Sequence, residues 1–249
     1  MAERTNEISP QVYARIGGVL YLIIIVAGAS GELLVRGSQV VSGNATATAR
    51  NILASPYVWR AGVAGDLVMH VCDVGLMLVF YVLLSPVNRA LALLAILFNL
   101  VQTSVLVANK LNLMLPLFLL ADAGYLAAFT PEQRQALSYV AIRTHDMGFG
   151  FGLIFFGVEC VAVGYLIIRS WYLPRTLGVM MQIAGACYVT NSFAVVLYPP
   201  LGSRLFPFIL LPPFVAELSL ALWLLVKGVD VTAWNAGSPQ RPPRGALET

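Results

Sequence analysis

The sequence predicts an all-α integral membrane protein, a transmembrane bundle of six helices. Of its 249 residues, 59% are hydrophobic and only 11% are charged, whereas soluble domains carry about 25% charged residues. The hydrophobic residues cluster into stretches of roughly 20, the length that a helix needs to cross a hydrocarbon core about 30 Å thick. Because lipid cannot hydrogen-bond to exposed backbone and no alternating strands are present, helices are the expected spanning elements.

Six hydrophobic stretches have this length, and each is expected to form one span. They cover residues 16–35, 61–84, 90–108, 147–168, 176–198 and 205–226. Together they predict a transmembrane domain at residues 15–228, preceded by a cytoplasmic segment at residues 1–14. The tail at residues 229–249 is polar and rich in proline, a composition typical of disorder.

The segment at residues 111–129 is the ambiguous part of this pattern. Residues 113–120 are hydrophobic, but Pro116 and flanking polar residues interrupt the run. A seventh span here would invert the orientation of everything that follows. We interpret the segment as an extension or re-entrant part of the third helix, followed by an interfacial helix at residues 131–144.

Short loops that contain arginine set the expected orientation. Arg89 lies between the second and third stretches, and Arg169 and Arg175 lie between the fourth and fifth. Because positively charged loops stay on the cytoplasmic side, both termini are expected there. The longer loops, residues 36–60 and 109–146, would then face outward.

The internal spacing also fits three stacked helical hairpins. Asp73 precedes Arg89 by sixteen residues, and Glu159 precedes Arg175 by the same distance. Each pair places an acid within one span and a cation at the start of the next. Such a repeat is typical of membrane proteins that are built from related helical units.

The charge and the cysteines exclude several kinds of partner. The formal net charge of +3 is dispersed along the chain, whereas nucleic-acid binding requires clustered basic residues to offset the phosphates. Nucleic acid is therefore excluded as a partner, and the lipid bilayer is the expected surrounding. Cys72, Cys160 and Cys187 lie far apart in hydrophobic stretches and predict neither a disulfide framework nor a metal site.

Several short motifs are distinctive enough to suggest a family. They are HDMGFGFG at residues 145–152, LPR at 173–175, LGV at 177–179 and LLSPVNR at 83–89. With these motifs the chain resembles, over residues 15–227, the bacterial membrane proteins described as domain of unknown function 4386. The resemblance implies a multi-pass protein of the bacterial inner membrane and supplies no activity.

Polar side chains within the spans indicate where a function would lie. An ionisable residue in a span costs about 2.5–3.5 kcal/mol on insertion scales, so it should face a partner or water. Asp66, His70 and Asp73 share one stripe of the second helix by their spacing. The candidate ligand-binding residues are His70, Asp73, Asp66, Asn99, Gln102, His145, Glu159 and Glu217. We expect these residues to line an outward-facing polar cavity that binds or transports a small solute or a proton.

Two alternatives stay open from the sequence. The first is a metal-dependent intramembrane hydrolase with His70, Asp73, His145 and Asp146 as ligands, although catalytic zinc normally has three ligands with histidine prominent. The second is a structural or signalling subunit in which the polar residues only join helices by hydrogen bonds. No cofactor, catalytic residue or oligomeric state is identified by the sequence.

The expected topology can be tested with reporter fusions at Ser42, Ser85, Gln133 and Ser170. These sites should alternate outside, inside, outside and inside, because one predicted span lies between each pair of neighbouring sites. Alkaline phosphatase and green fluorescent protein report the two sides. If Gln133 and Ser170 lie on the same side, the six-span topology is wrong.

Overall fold

The computed structural model describes residues 9–237, except for the side chain of Ser203, and confirms a bundle of six membrane-spanning helices. All six are long and apolar enough to cross a membrane. We label them α1 (Pro10–Gln39), α2 (Pro56–Leu84), α3 (Arg89–Leu119), α4 (Pro131–Arg169), α5 (Arg175–Leu197) and α6 (Leu211–Val226). Because six spans are an even number, Ser9 and Gly237 lie at the same end of the bundle, which we call the terminal end, and the opposite end is the far end.

Local sequence determines where the spans begin. Proline stands in the first turn of α1, α2 and α4, where no intrahelical N–H bond is lost. Asn88 caps α3 by accepting a bond from the Leu91 N–H at 3.0 Å. Thr130 and Gln133 form a reciprocal capping box at the start of α4. Helix α1 already begins at Pro10, earlier than the sequence predicted, and residues 1–8 lie outside the described part.

The spanning helices form a closed ring. Each one packs against its neighbours in the chain, and α6 returns to pack against α1. Helix α2 also approaches α4 across the ring. Helix α4 packs as extensively against α5 as against α3, so the bundle does not divide into the three stacked hairpins that the spacing suggested.

Two glycines of α4, Gly148 and Gly152, meet α3. A Cβ atom on Gly148 would lie 2.5 Å from the Asn109 Oδ1 atom, and one on Gly152 would lie 2.6 Å from the Leu106 Cδ2 atom. Both contacts are closer than a side chain permits. Missing side chains therefore let α3 and α4 approach closely, as is usual between helices in lipid.

Helices α4 and α5 approach each other even more closely, through their backbones. A Cβ on Gly164 would lie 2.5 Å from the carbonyl oxygen of Gly178, and a Cβ on Gly157 would lie 2.8 Å from that of Gly185. The two antiparallel glycine pairs are two helical turns apart. They fix both the distance between α4 and α5 and their axial register.

The far end of the bundle corrects the expectation for residues 111–144. Helix α3 continues to Leu119, so the ambiguous segment extends this helix and is neither a seventh span nor re-entrant. Residues 131–144 are not a separate interfacial helix but the first turns of α4. No glycine or proline interrupts α4 there, and Ala141 and Ile142 are buried. At about 1.5 Å per residue, α4 is much longer than the hydrocarbon core is thick.

The C-terminal tail begins with ordered structure, so the expectation of disorder is wrong for its first residues. Val229 is buried, and a short helix follows at Val231–Ala236. Trp234 packs edge-on against Tyr172 with ring centroids 4.7 Å apart. This contact holds the segment against the loop between α4 and α5. Residues 238–249 lie outside the described part.

The backbone contact between α4 and α5 predicts a large effect of one methyl group. Gly164→Ala should lower the unfolding free energy by about 1–3 kcal/mol, because its Cβ would collide with the carbonyl of Gly178, which cannot rotate away. Gly150→Ala, on the same helix, is the matched control, because a Cβ there meets no atom within 4 Å. Thermal unfolding in detergent compares them, and equal stability of the two variants would contradict the contact.

Candidate functional site

A cavity of about 140 Å³ lies inside the ring, and we call it the central chamber. All six spanning helices contribute to its wall. Asn99 marks its depth, because Arg89 and Asn109 each lie about ten residues away along α3, about 15 Å in either direction. The chamber therefore lies within the membrane-spanning part of α3.

Six of the eight predicted ligand-binding residues line this chamber. They are His70, Asp73, Asn99, Gln102, Glu159 and Glu217. Four different helices supply them, so the closed ring brings together residues that are up to 147 positions apart (217 − 70). The other two predicted residues, Asp66 and His145, belong to a second cluster nearer the far end.

Asp73 and Glu159 are linked through α3. The hydroxyl of Thr103 donates a short hydrogen bond to Asp73 Oδ2. The amide Nδ2 of Asn99 lies 3.4 Å from Asp73 Oδ1 and 3.2 Å from Glu159 Oε1, and it can donate to both. One amide group thus bridges two carboxyl groups from different helices. Thr103 was not predicted, because a lone threonine in a hydrophobic run carries no distinguishing signal.

Glu217 has its partners on the two helices that flank α6. The hydroxyl of Tyr188 donates to Glu217 Oε1 at 2.5 Å, and the Tyr21 hydroxyl bonds to the same carboxyl group. Both tyrosines line the chamber. Neither was predicted from the sequence, because a tyrosine within an apolar helix resembles ordinary packing until its partner is known.

Two groups in the chamber lack a hydrogen-bond partner within the described part of the chain. Neither ring nitrogen of His70 has one, and neither does Glu159 Oε2. The two side chains are 3% and 2% exposed, respectively. Buried polar atoms are nearly always hydrogen-bonded, and leaving one unpaired costs about 1–3 kcal/mol. These atoms are therefore open to a partner that enters from outside the chain.

A separate ionic cluster lies between the chamber and the far end. Asp66 Oδ2 accepts from Arg36 at 2.8 Å and from Lys110 at 2.9 Å. The Lys110 Nζ atom also lies 3.3 Å from His145 Nε2, and Arg36 pairs with Glu32 at 2.7 Å. Its two basic and two acidic side chains balance in formal charge, so we call it the neutral ionic cluster.

Arg36 was not among the predicted site residues, and a local change of helix geometry explains its position. Residues Ser30–Arg36 form a π-helical stretch within α1, and the Gly37 N–H bonds to the Glu32 carbonyl five residues back. The wider turn rotates the following residues relative to a regular α-helix. Arg36 thereby points into the bundle and is only 9% exposed. The spacing of Glu32 and Arg36 by four residues was the available signal.

The four candidate metal ligands do not converge. His70 and Asp73 line the chamber, whereas His145 belongs to the neutral ionic cluster. Asp146 is exposed and pairs with Arg143 at 2.9 Å. Within residues 9–237, no group of three or more His, Cys, Asp or Glu side chains is arranged to hold a metal ion.

The interior differs between the two sides of the chamber. Toward the terminal end, α2, α4 and α6 fill the ring mainly with hydrophobic side chains, among them Phe80, Leu83, Leu166, Ile167 and Leu224. Toward the far end, the buried side chains include Asp66, Asn109, Lys110 and His145. Described buried polar groups therefore run from the chamber to the neutral ionic cluster. Apolar clusters lie beyond them at both ends, around Leu83 and Leu166 at the terminal end and around Trp59, Leu113 and Ile142 at the far end.

Comparisons with known proteins identify a family and add no activity. The family model described as "Domain of unknown function (DUF4386)" matches residues 16–228. A protein described as "Uncharacterized protein" from Archaeoglobus fulgidus is 23% identical over 168 residues, which cover 67% of this chain and 83% of that protein. No solved structure matches the chain.

The neutral ionic cluster predicts that Asp66 contributes much more than Asp146 to the unfolding free energy. Asp66→Asn should lower the unfolding free energy by about 3–5 kcal/mol, because it leaves two buried cations short of a carboxylate. Asp146→Asn should cost less than about 1 kcal/mol, because its pair with Arg143 is exposed to solvent. Thermal unfolding in detergent measures both variants.

A second variant checks the physical reason. Lys110→Met removes one of the two cations, so adding it to Asp66→Asn should recover part of the lost stability. No recovery in the double variant would contradict the view that unpaired charge causes the loss.

Proposed function

We propose that this chain, which belongs to the DUF4386 family, is a membrane-embedded protein that binds a small solute or a proton in its central chamber and exchanges it with one side of the membrane. The family description names no activity, so the proposal depends on the chamber alone. Its main support is that buried polar atoms without a hydrogen-bond partner border a cavity inside the helical ring.

The alternative of simple helix assembly accounts for part of the chamber. Helices that are joined by polar contacts should satisfy those contacts, as Asn99 and Thr103 satisfy Asp73. His70 departs from this pattern, since both of its ring nitrogens lack a hydrogen-bond partner within residues 9–237. A histidine that only joined helices would be expected to use at least one nitrogen. The open imidazole therefore favours a ligand over assembly.

The route of access is proposed from the distribution of buried groups. Asp66, His70 and Asp73 form a stripe down α2, from the neutral ionic cluster to the chamber. No comparable stripe continues to the terminal end in the described part of α2, where Leu76, Phe80 and Leu83 are buried. We therefore expect a solute or proton to enter from the far end.

The same proposal includes an orientation. Arg89, Arg169 and Arg175 lie at the terminal end, in or beside the loops that join α2 to α3 and α4 to α5. Their positive charge favours a cytoplasmic location for that end in a bacterial plasma membrane. The chamber would then exchange its ligand with the outside of the cell.

Chemical labelling of introduced cysteines tests whether water reaches the chamber. In a background with Cys72, Cys160 and Cys187 changed to alanine, His70→Cys should react with 2-aminoethyl methanethiosulfonate added at the far end. A thiol reacts as its thiolate, which forms in a hydrated site and not in a dry apolar one, so a rate difference of roughly tenfold or more is expected.

Two matched positions on the same helix serve as controls. Val71→Cys should be protected because this side chain is 74% exposed on the outside of the bundle, where lipid surrounds it. Leu83→Cys should also be protected because it lies in the apolar core, 1% exposed. If His70→Cys reacts no faster than Leu83→Cys in folded protein, the chamber is sealed, and the assembly interpretation replaces this proposal.

A further inference from the structure

We infer that the ligand of the central chamber is a small organic ammonium ion, a protonated primary amine that enters in exchange for a proton. This inference rests on the proposed function and adds the chemical class of the ligand. Four properties of the chamber support it: the sign of its ionisable groups, its open hydrogen-bond acceptors, its aromatic walls and its size.

The ionisable groups of the chamber favour a cation. Asp73, Glu159 and Glu217 line it, and none of the lining residues is lysine or arginine. The nearest buried cations, Arg36 and Lys110, are already balanced within the neutral ionic cluster. Three ionised carboxylates near one another would repel, so the group needs protons or a positive ligand. An anion would find only like charge here.

The open atoms of the chamber are suited to receive N–H groups. Glu159 Oε2 is an acceptor without a donor in the described chain, and a neutral His70 offers one ring nitrogen as an acceptor. A primary ammonium group carries three N–H donors, enough for both acceptors. Hydrogen bonds between an ammonium group and a carboxylate are about twice as strong as those between neutral groups.

Aromatic rings lie on two opposite sides of the chamber. Tyr21 and Phe80, from α1 and α2, are edge-to-face with centroids 6.1 Å apart. Phe156 and Tyr188, from α4 and α5, have centroids 5.3 Å apart. All four residues line the chamber. Ring faces attract cations, and the attraction is strongest where water is excluded. Such walls also accept the hydrocarbon part of an amine.

The volume limits the ligand to a few atoms. The chamber measures about 140 Å³, close to an engineered protein cavity of about 150 Å³ that holds one benzene molecule. An amine of about four to eight non-hydrogen atoms fits this space by the same comparison. Larger cations would need the helices to move apart.

The exchange is balanced in charge. Before binding, Glu159 holds a proton as a carboxylic acid. When R–NH₃⁺ enters, the O–H bond of Glu159 breaks, the proton leaves to water, and a carboxylate–ammonium pair remains. The formal charge of the chamber is unchanged, which avoids the cost of leaving a net charge in the membrane interior. The titratable groups that share the chamber with Glu159 are His70 and Asp73 from α2, Tyr21 from α1, Tyr188 from α5 and Glu217 from α6.

Isothermal titration calorimetry of the purified full chain tests the inference with n-butylammonium chloride. The matched neutral probe is 1-butanol, which has the same chain length and no charge. Tetramethylammonium tests the need for N–H donors, and sodium chloride tests an inorganic cation. We expect n-butylammonium to bind and the other three probes to bind at least about tenfold more weakly, a difference of about 1.4 kcal/mol. A weakly buffered sample should release up to one proton per bound amine.

Two variants locate the binding. Glu159→Gln should weaken n-butylammonium binding by about tenfold or more and abolish proton release, because the amide cannot form the ion pair. Asp146→Asn, an exposed acid on the same helix, should bind like the unmodified protein. Equal binding of 1-butanol and n-butylammonium, or unchanged binding in Glu159→Gln, would overturn the inference.

The inference and the proposed function can fail separately. If sodium binds as well as n-butylammonium, or if n-butylammonium does not bind while His70→Cys is labelled from the far end, the ammonium ligand is wrong and the proposed function stands. If no probe binds and His70→Cys is also unreactive, both are wrong. Thermal unfolding of each variant confirms that the measured protein is folded.

Discussion

A carboxyl group in the middle of a bilayer must find its partners within the protein, and the six-helix ring is arranged around three such groups. The acids lie on α2, α4 and α6, and the neutral groups that bond to them lie on α1, α3 and α5. Glu217 takes hydroxyl groups from both sides, Tyr21 and Tyr188, so α6 is joined to α1 and α5 through one side chain. Closure of the ring therefore also supplies the donors of Glu217, since opening the ring at α6 would leave this carboxyl group without them.

The remaining cohesion comes from close backbone contact. Within a bilayer, apolar side chains gain little by leaving lipid for protein, so van der Waals packing and polar contacts must hold helices together. Gly164 against Gly178 and Gly157 against Gly185 provide such packing between α4 and α5. This rigid pair positions Glu159 and Tyr188, which lie on its inner side. Packing at the glycines and chemistry in the chamber thus depend on the same two helices.

The sequence predicted what depends on composition and helical spacing, namely the number of spans, the polar stripe of α2 and six chamber residues among eight candidate binding residues. It did not separate Asp66 from the chamber, because a residue only seven positions from Asp73 on the same helix has the same face and differs only in depth. It also missed Arg36, whose inward direction depends on the π-helical stretch, and Tyr21, whose role depends on Glu217 about 200 residues later. These features follow from tertiary contacts, which one helix considered alone does not contain.

The position of Asn99 within a membrane-spanning helix has an electrical consequence. A charge that crosses the whole membrane changes its energy by about 2.3 kcal/mol per 100 mV, so a cation that reaches the chamber from either side experiences part of that energy. Its occupancy would change several-fold with the resting voltage of a cell if it moved alone. When a proton leaves along the same path as the cation enters, the two displacements cancel. Voltage therefore distinguishes two cases for a chamber inside the membrane. The entry of a lone cation depends on voltage, whereas the electroneutral exchange of a cation for a proton does not.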